Sequence, residues 1–139
     1  LNINLVDNIK NLAQEFDRNV LIDIDGKLFA NSRWMYFINY IYMELIFNAI
    51  KFTEKSDTII ATNRAEDKYT IIKVKNNGST LNCDPKLLKP FNKFSNRMDI
   101  SGMGLGLYNI SQIAIKVGGE MKINSNNVIT EVEFYFPSY

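Results

Sequence analysis

ELIFNAIKF, residues 44–52, is the most informative segment of this 139-residue chain. Its polar residues Glu44, Asn48 and Lys51 are spaced four and three positions apart, so a helix brings all three to one side. The surrounding residues are mostly apolar, and the pattern predicts a long buried helix over residues 33–52 with Asn31-Ser32 as its N-terminal cap. Three polar side chains thus lie on a helix that is expected to be buried, and burying polar groups is costly.

These three side chains have complementary chemistry. A carboxylate can activate a nucleophile, an amide oxygen can coordinate Mg²⁺, and an ammonium group can neutralise phosphate charge, which are the parts that a phosphoryl-transfer site needs. The same spacing also fits the solvated edge of an amphipathic helix. The pattern alone leaves both interpretations open.

A second segment, SGMGLGL at residues 101–107, places glycines at 102, 104 and 106 just before a helix predicted over 105–117. Bare backbone amides and the positive end of the helix dipole can hold phosphate oxygens there, although a flexible turn also explains the glycines. A dinucleotide-binding fold is disfavoured, because no strand is predicted before the segment and no βαβ unit after it. No P-loop sequence occurs either.

Periodicity predicts the remaining elements. They are a helix over 5–16, a strand over 20–24, a hairpin of strands 58–62 and 69–74 joined by the polar stretch 64–68, a short helix over 84–89, a mobile loop over 91–104, a helix stop at Gly118-Gly119, and closing strands over 121–123 and 132–136. The aromatic residues between 34 and 42 are expected to pack in the core. The order predicts an α+β two-layer sandwich, in which about three helices pack on one face of a mixed, mostly antiparallel sheet. The length fits a single domain spanning residues 1–139.

Composition excludes several function classes. A formal net charge of +1, from 16 Lys and Arg against 15 Asp and Glu, gives no basic surface for nucleic acid. With Cys83 as the only cysteine and no histidine, neither an internal disulfide nor a His/Cys zinc site can form. The longest apolar stretch, residues 34–50, is interrupted by polar residues and is shorter than the ~20 residues of a membrane span. We therefore expect a cytoplasmic domain without membrane contact, although its parent protein can be membrane-anchored.

Four segments occur in a fixed order: Glu44–Phe52, Asn76-Asn77-Gly78, Phe91-x-x-Phe94 and Gly102-x-Gly104-Leu105-Gly106-Leu107. Together they resemble the ATP-binding catalytic domain of sensor histidine kinases. That domain belongs to a superfamily that includes DNA gyrase, the ninety-kilodalton heat-shock chaperone and the mismatch-repair ATPases. The resemblance extends from about Leu5 to Pro137. The short lid and the phenylalanine pair look like the kinase branch, because gyrase-like and chaperone-like ATPases have longer lids and extra domains.

The resemblance implies ATP and Mg²⁺ as cofactors and gives a role to each matching residue. Asn48 is implied to hold Mg²⁺, Glu44 to act as or assist the general base, and Lys51 to contact phosphate. Arg97, in the lid, is implied to meet the γ-phosphate. The other nucleotide-binding positions that it implies are Asn76, Gly78, Gly102, Gly104, Leu105, Gly106 and Thr130.

The sequence departs from the family pattern at three positions of the pocket. Asn76 stands where the family has an adenine-binding aspartate. Its amide oxygen can still accept from the adenine amino group, with a loss of about 1 kcal/mol and roughly fivefold to tenfold weaker binding. Thr80 replaces the last glycine of that segment, and Ile129 replaces the glycine before Thr130. Bulkier residues there predict strain if the backbone requires a positive φ.

The resemblance therefore implies a catalytic domain that transfers the γ-phosphoryl group of ATP to a histidine on a separate dimerisation domain. That histidine then passes the group to a response regulator. The chain itself contains no histidine and cannot be its own acceptor. The alternative is a degenerate pseudo-kinase module of the same fold that does not bind ATP and acts by docking a protein partner.

Overall fold

The computed structural model describes residues 3–29, 33–77, 103–125 and 129–138. The elements in chain order are helix α1 (Ile3–Glu15), strand β1 (Asn19–Asp23), a short 3-10 helix (Gly26–Phe29), helix α2 (Met35–Phe52), strands β2 (Thr58–Glu66) and β3 (Tyr69–Asn77), helix α3 (Met103–Val117), and strands β4 (Glu120–Ser125) and β5 (Ile129–Pro137). The predicted short helix over 84–89 and residues 91–102 of the predicted loop over 91–104 lie outside the described residues, and residues 103 and 104 of that loop belong to α3.

The five strands form one sheet in the order β1-β2-β3-β5-β4. β1 runs parallel to β2, and every other neighbouring pair is antiparallel. β5 is the last strand in the sequence, yet it lies between β3 and β4. The predicted mixed, mostly antiparallel sheet is confirmed.

The helices cover one face of this sheet. α2 is central, since it packs against α1, α3, β2 and β3. Its apolar side meets alternate residues of the strands, which is the pattern expected when one sheet face is covered. The largest fully buried side chains at this interface include Ile38, Tyr42, Leu45 and Ile46 from α2 and Ile59, Phe134 and Phe136 from the strands. The predicted α+β two-layer sandwich is therefore confirmed.

The opposite face of the sheet is charged. Arg64 Nη1 lies 2.6 Å from Glu133 Oε2, and Lys73 Nζ lies 3.7 Å from Glu131 Oε1. Burial acts to raise the pKa of Glu133, but the hydrogen bond and charge of Arg64, with help from Tyr135 and Lys73, hold this pKa below its ordinary value. This face also carries Ile71 and Tyr135, which are 0% and 8% exposed, whereas the main hydrophobic core lies on the helix side.

The ends of α2 and of the β2–β3 hairpin differ from the prediction. α2 begins at Met35 rather than 33, and Trp34 occupies the N-cap without a side-chain hydrogen bond that caps the helix. Trp34 is held instead by its ring nitrogen, which donates to the Pro137 carbonyl oxygen at 2.8 Å. β2 continues through Glu66, so the turn between β2 and β3 consists of residues 67 and 68 alone. Pairing with β3 extends the strand through polar residues that the sequence pattern assigned to a linker.

Two helices end in the same way. Gly118 has φ +72°, the Gly119 N–H donates to the Ala114 carbonyl at 2.9 Å, and the Gly118 N–H donates to the Ile115 carbonyl at 3.3 Å. This is the glycine-terminated stop that the sequence predicts. At the end of α1, Asp17 takes the left-handed position with φ 60°. No glycine stands at that second stop to predict it from the sequence.

Among the described helices, none has the combination of length and apolar character that crossing a membrane requires.

Candidate functional site

Asn48 is buried on α2 with an unpaired oxygen. Its side chain is 5% exposed, and Nδ2 donates to the Glu44 carbonyl at 3.0 Å. This bond fixes the amide orientation, because the reverse orientation would place two acceptor oxygens together. Oδ1 is then the one buried side-chain polar atom of the described residues that has no hydrogen-bond partner. A buried acceptor without a donor costs about 1–3 kcal/mol.

Such an oxygen fits a cation. Mg²⁺ prefers oxygen ligands and is commonly held by one or two protein oxygens together with substrate phosphates. Asn48 Oδ1 is an oxygen of this kind, already desolvated and already oriented by the Glu44 carbonyl. The residue that the sequence singled out for Mg²⁺ therefore has the right donor atom.

Glu44 and Lys51 are half-buried on the same helix as Asn48. Burial raises the pKa of Glu44, and the positive charge of Lys51 partly opposes this rise. Burial likewise lowers the pKa of Lys51, and the carboxylate of Glu44 partly opposes that change. Each side chain thus supports the charged form of the other. The Lys51 ammonium also lies 4.6 Å from the centre of the Phe47 ring.

Asn76 and Thr130 form a second polar pair, at the end of the central strands. They are direct cross-strand partners in the β3–β5 ladder and are 4% and 3% exposed. Asn76 alternates with Val74 and Ile72 and lies on the helix-covered face. Its Nδ2 donates to the Asn77 carbonyl at 3.0 Å. Its Oδ1 accepts no hydrogen bond from any described residue, so it is available to an amino group.

Ile129, the neighbour of Thr130, opens strand β5 opposite Asn77. Among the described residues, the non-glycine positions with positive φ are Asp17 and Asp67. Ile129 is therefore ordinary strand backbone, and the strain considered for this substitution does not arise. Thr80, the other bulky replacement, lies outside the described residues.

The glycine segment is placed differently from the prediction. α3 begins at Met103, so Gly104, Leu105 and Gly106 belong to its first turns and do not precede a helix that starts at 105. Glycine disfavours a helix by roughly 1 kcal/mol relative to alanine. Burial of Leu107 and Ile110, which are both 0% exposed, accounts for helix formation despite this cost. Gly78, Arg97 and Gly102 lie outside the described residues.

Some residues beside the site were not identified from sequence. Tyr40, one turn before Glu44, is 37% exposed and Tyr36 is 80% exposed, so the prediction that the aromatic residues between 34 and 42 pack in the core is wrong for these two. Burial and the Glu44 charge raise the pKa of Tyr40, whereas a hydrogen bond with Asn109 on α3 opposes the rise. An aromatic residue inside an apolar run gives no sequence signal for such an exposed position. Thr53, which is 1% exposed, was also missed.

Residues 37–139 match the family model described as histidine kinase-, DNA gyrase B- and HSP90-like ATPase. The chain belongs to this family. ATPase domains of this family bind ATP, usually together with Mg²⁺. The match confirms the family predicted from the sequence.

Solved structures share the fold of this domain. The catalytic domain of histidine kinase ThkA has a TM-score of 0.71 at 18% identity, covering 99% of this chain and 93% of ThkA. The mycobacterial sensor histidine kinase MprB has a TM-score of 0.71 at 14% identity, covering 96% and 93%. The histidine kinase AdeS of Acinetobacter baumannii has a TM-score of 0.67 at 14% identity, and this chain spans 63% of that structure. A search of the curated proteins finds no match.

The family model makes this domain an ATPase domain of the histidine kinase, DNA gyrase B and HSP90 type, and the solved histidine kinase structures share its fold.

Proposed function

We propose that this domain binds ATP with Mg²⁺ and transfers the γ-phosphoryl group to a histidine on the dimerisation domain of its parent kinase. The observation that carries the proposal is the buried, oriented and unpaired Oδ1 of Asn48. A response regulator is then the partner that receives the group. We further propose that residues 1–139 form one domain and that it acts in the cytoplasm.

The residues of α2 have separate roles in this proposal. Asn48 Oδ1 holds Mg²⁺, which when bound neutralises charge on the phosphate oxygens. Lys51 contacts phosphate with its ammonium group. Transfer forms a bond between the acceptor imidazole nitrogen and the γ-phosphorus, while the bond to the bridging oxygen breaks and ADP keeps the electron pair. Glu44 accepts the proton that the imidazole gives up.

The half-buried position of Glu44 suits that role. Its pKa is raised by burial, so the carboxylate is a stronger base than an exposed glutamate. The charge of Lys51 limits the rise and favours the ionised form of Glu44. Removing either residue therefore shifts the pKa of the other.

The remaining positions contact the base and the phosphates. Asn76 Oδ1 accepts from the adenine amino group, and Thr130 lies beside it across the strand pair. Gly104, Leu105 and Gly106 contribute amides from the first turns of α3, where the helix dipole favours anions. We assign Gly78, Gly102 and Arg97 to the same pocket from the family resemblance alone.

A module of this fold without ATP binding is not favoured. Such a module has no use for an unpaired buried amide, and replacing Asn48 by an apolar residue would remove its cost. Asn76 also keeps an acceptor oxygen where the family has a carboxylate, so the altered adenine position retains its hydrogen-bonding function.

The proposal is tested by calorimetric titration with a non-hydrolysable ATP analogue and with ADP, each with and without Mg²⁺. We expect micromolar to submillimolar affinity that weakens without Mg²⁺ and in Asn48→Ala. The matched control is Asn39→Ala. Asn39 lies on the same helix and its Nδ2 donates to the Met35 carbonyl at 3.2 Å in the same way. No binding at millimolar nucleotide by the folded wild-type domain would contradict the proposal.

A further inference from the structure

The corner between α1 and β1, residues 16–18, closes the C-terminal end of α2. Arg18 Nε donates to Thr53 Oγ1 at 3.1 Å, and Nη2 donates to the carbonyl oxygens of Thr53 at 3.0 Å and Ile50 at 3.3 Å. Nη1 donates to the carbonyl of Phe16 at 2.7 Å, which ties the guanidinium to its own corner. A cation at this position also interacts favourably with the helix dipole. Arg18 therefore fixes the last turn of α2.

The same corner makes a second contact, through aromatic rings. The Phe16 and Phe47 ring centres are 5.9 Å apart at an interplanar angle of 58°. The Lys51 ammonium also lies 4.6 Å from the Phe47 ring centre. Rings in this arrangement attract a cation and restrict where it lies. Along the sequence, the corner thus contacts Phe47 before Lys51 and Thr53 after it.

The corner is itself well defined. The Arg18 N–H donates to the Ala13 carbonyl at 2.8 Å and the Asp17 N–H donates to the Gln14 carbonyl at 3.1 Å, which are the bonds of a left-handed helix stop. Asp17 Oδ2 also lies 3.6 Å from Lys55 Nζ, although this pair is largely exposed. The end of α1 therefore determines where the Arg18 side chain begins.

We infer that Arg18 and Phe47 are positioning residues for Lys51, and that the α1–β1 corner sets the phosphate affinity of the nucleotide site. The inference rests on the proposed function of Lys51 as a phosphate contact. A lysine side chain has four flexible bonds, and contacts that restrict it reduce the entropy lost when it binds phosphate. Substituting Arg18 frees the last turn of α2, and substituting Phe47 removes the ring contact of Lys51. Either change removes this restriction. A displacement of α1 would act on phosphate binding by the same route.

The test compares ligands with and without phosphates. Affinities of the domain for ADP and for adenosine are measured by NMR titration in Arg18→Met, Phe47→Leu and Lys51→Met. We expect ADP to bind about threefold to tenfold more weakly in the first two variants, with adenosine unchanged. Arg18→Lys is expected to recover part of the loss. In a Lys51→Met background, Arg18→Met should cause no further loss of ADP affinity, because both changes act through one side chain.

Trp34→Phe is the matched control. It removes the hydrogen bond to Pro137 at the opposite end of α2 while keeping an aromatic ring. We expect it to lower stability without changing the ratio of ADP to adenosine affinity. If Arg18→Met and Phe47→Leu also keep the wild-type ratio, the inference is wrong while the proposed function stands. If the folded wild-type domain binds neither ADP nor the ATP analogue, the proposed function itself fails.

Discussion

Replacing Asn48 by leucine is expected to stabilise the domain and to abolish its Mg²⁺-dependent binding of ATP. Leucine has nearly the same shape but no polar atom, so the unpaired Oδ1 disappears. This recovers about 1–3 kcal/mol, and losing the hydrogen bond from Nδ2 to the Glu44 carbonyl costs about 0.5–1.5 kcal/mol. The better helix propensity of leucine adds a few tenths, on the order of 0.4 kcal/mol. The net gain is about 1 kcal/mol, or roughly 3 °C in Tm for a chain of this length.

The assay is thermal unfolding followed by circular dichroism, without nucleotide and then with the ATP analogue and Mg²⁺. Ligand should raise the Tm of the wild type but not that of Asn48→Leu. Asn39→Leu is the control. The Asn39 amide makes the same kind of bond to the Met35 carbonyl, but Oδ1 of Asn39, unlike that of Asn48, is not a buried atom without a partner. Asn39→Leu should retain the ligand effect. A lower Tm for nucleotide-free Asn48→Leu than for the wild type would refute the reasoning, since Oδ1 would then be satisfied in solution.

Three other substitutions test the surrounding structure. Gly119→Ala should destabilise the domain by at least about 3 kcal/mol in urea unfolding, because the added Cβ would overlap the Tyr135 carbonyl oxygen. Arg64→Met should cost about 1 kcal/mol at pH 7, discounted for the exposure of the guanidinium. The folded pKa of Glu133 lies below its unfolded value, so this cost should vanish as the pH falls through the folded pKa. A cost that does not fall at any pH down to the acid unfolding of the domain would contradict the assignment. Asn76→Asp should tighten adenine nucleotides by roughly fivefold to tenfold in calorimetry but not inosine nucleotides, which lack the amino group. Equal tightening for both would exclude the proposed contact.

Much of the fold could be predicted because its elements have strong local patterns. The apolar run of α2, the alternation in β3 and the Gly118 stop depend on neighbours within one or two turns. The errors occur where distant contacts decide the outcome. β2 extends to Glu66 because it pairs with Tyr69 across a two-residue turn, and α2 starts at Met35 because Trp34 is held by a carbonyl more than a hundred residues later.

The candidate site was predictable where one helix supplies its residues. Glu44, Asn48 and Lys51 share a side of α2 by spacing alone, and Asn76 lies on the covered face by alternation. The unpaired state of Asn48 Oδ1 depends on which groups pack around α2, and spacing contains no information on that. The Arg18 contacts were also not predictable, since they join segments 32 to 35 residues apart through side-chain geometry.

The place of β5 in the sheet has a consequence during protein synthesis. β2 and β3 leave the ribosome together as a hairpin, but the second edge of β3 has no strand to pair with until β5 has been made. Residues 78–128 must be translated in between, which takes on the order of 3–10 s at typical elongation rates. During that interval the nascent chain exposes the edge of a strand that is central in the finished sheet, together with the apolar face that α3 later helps to cover. Nascent chains of this domain are therefore vulnerable to mispairing at this stage.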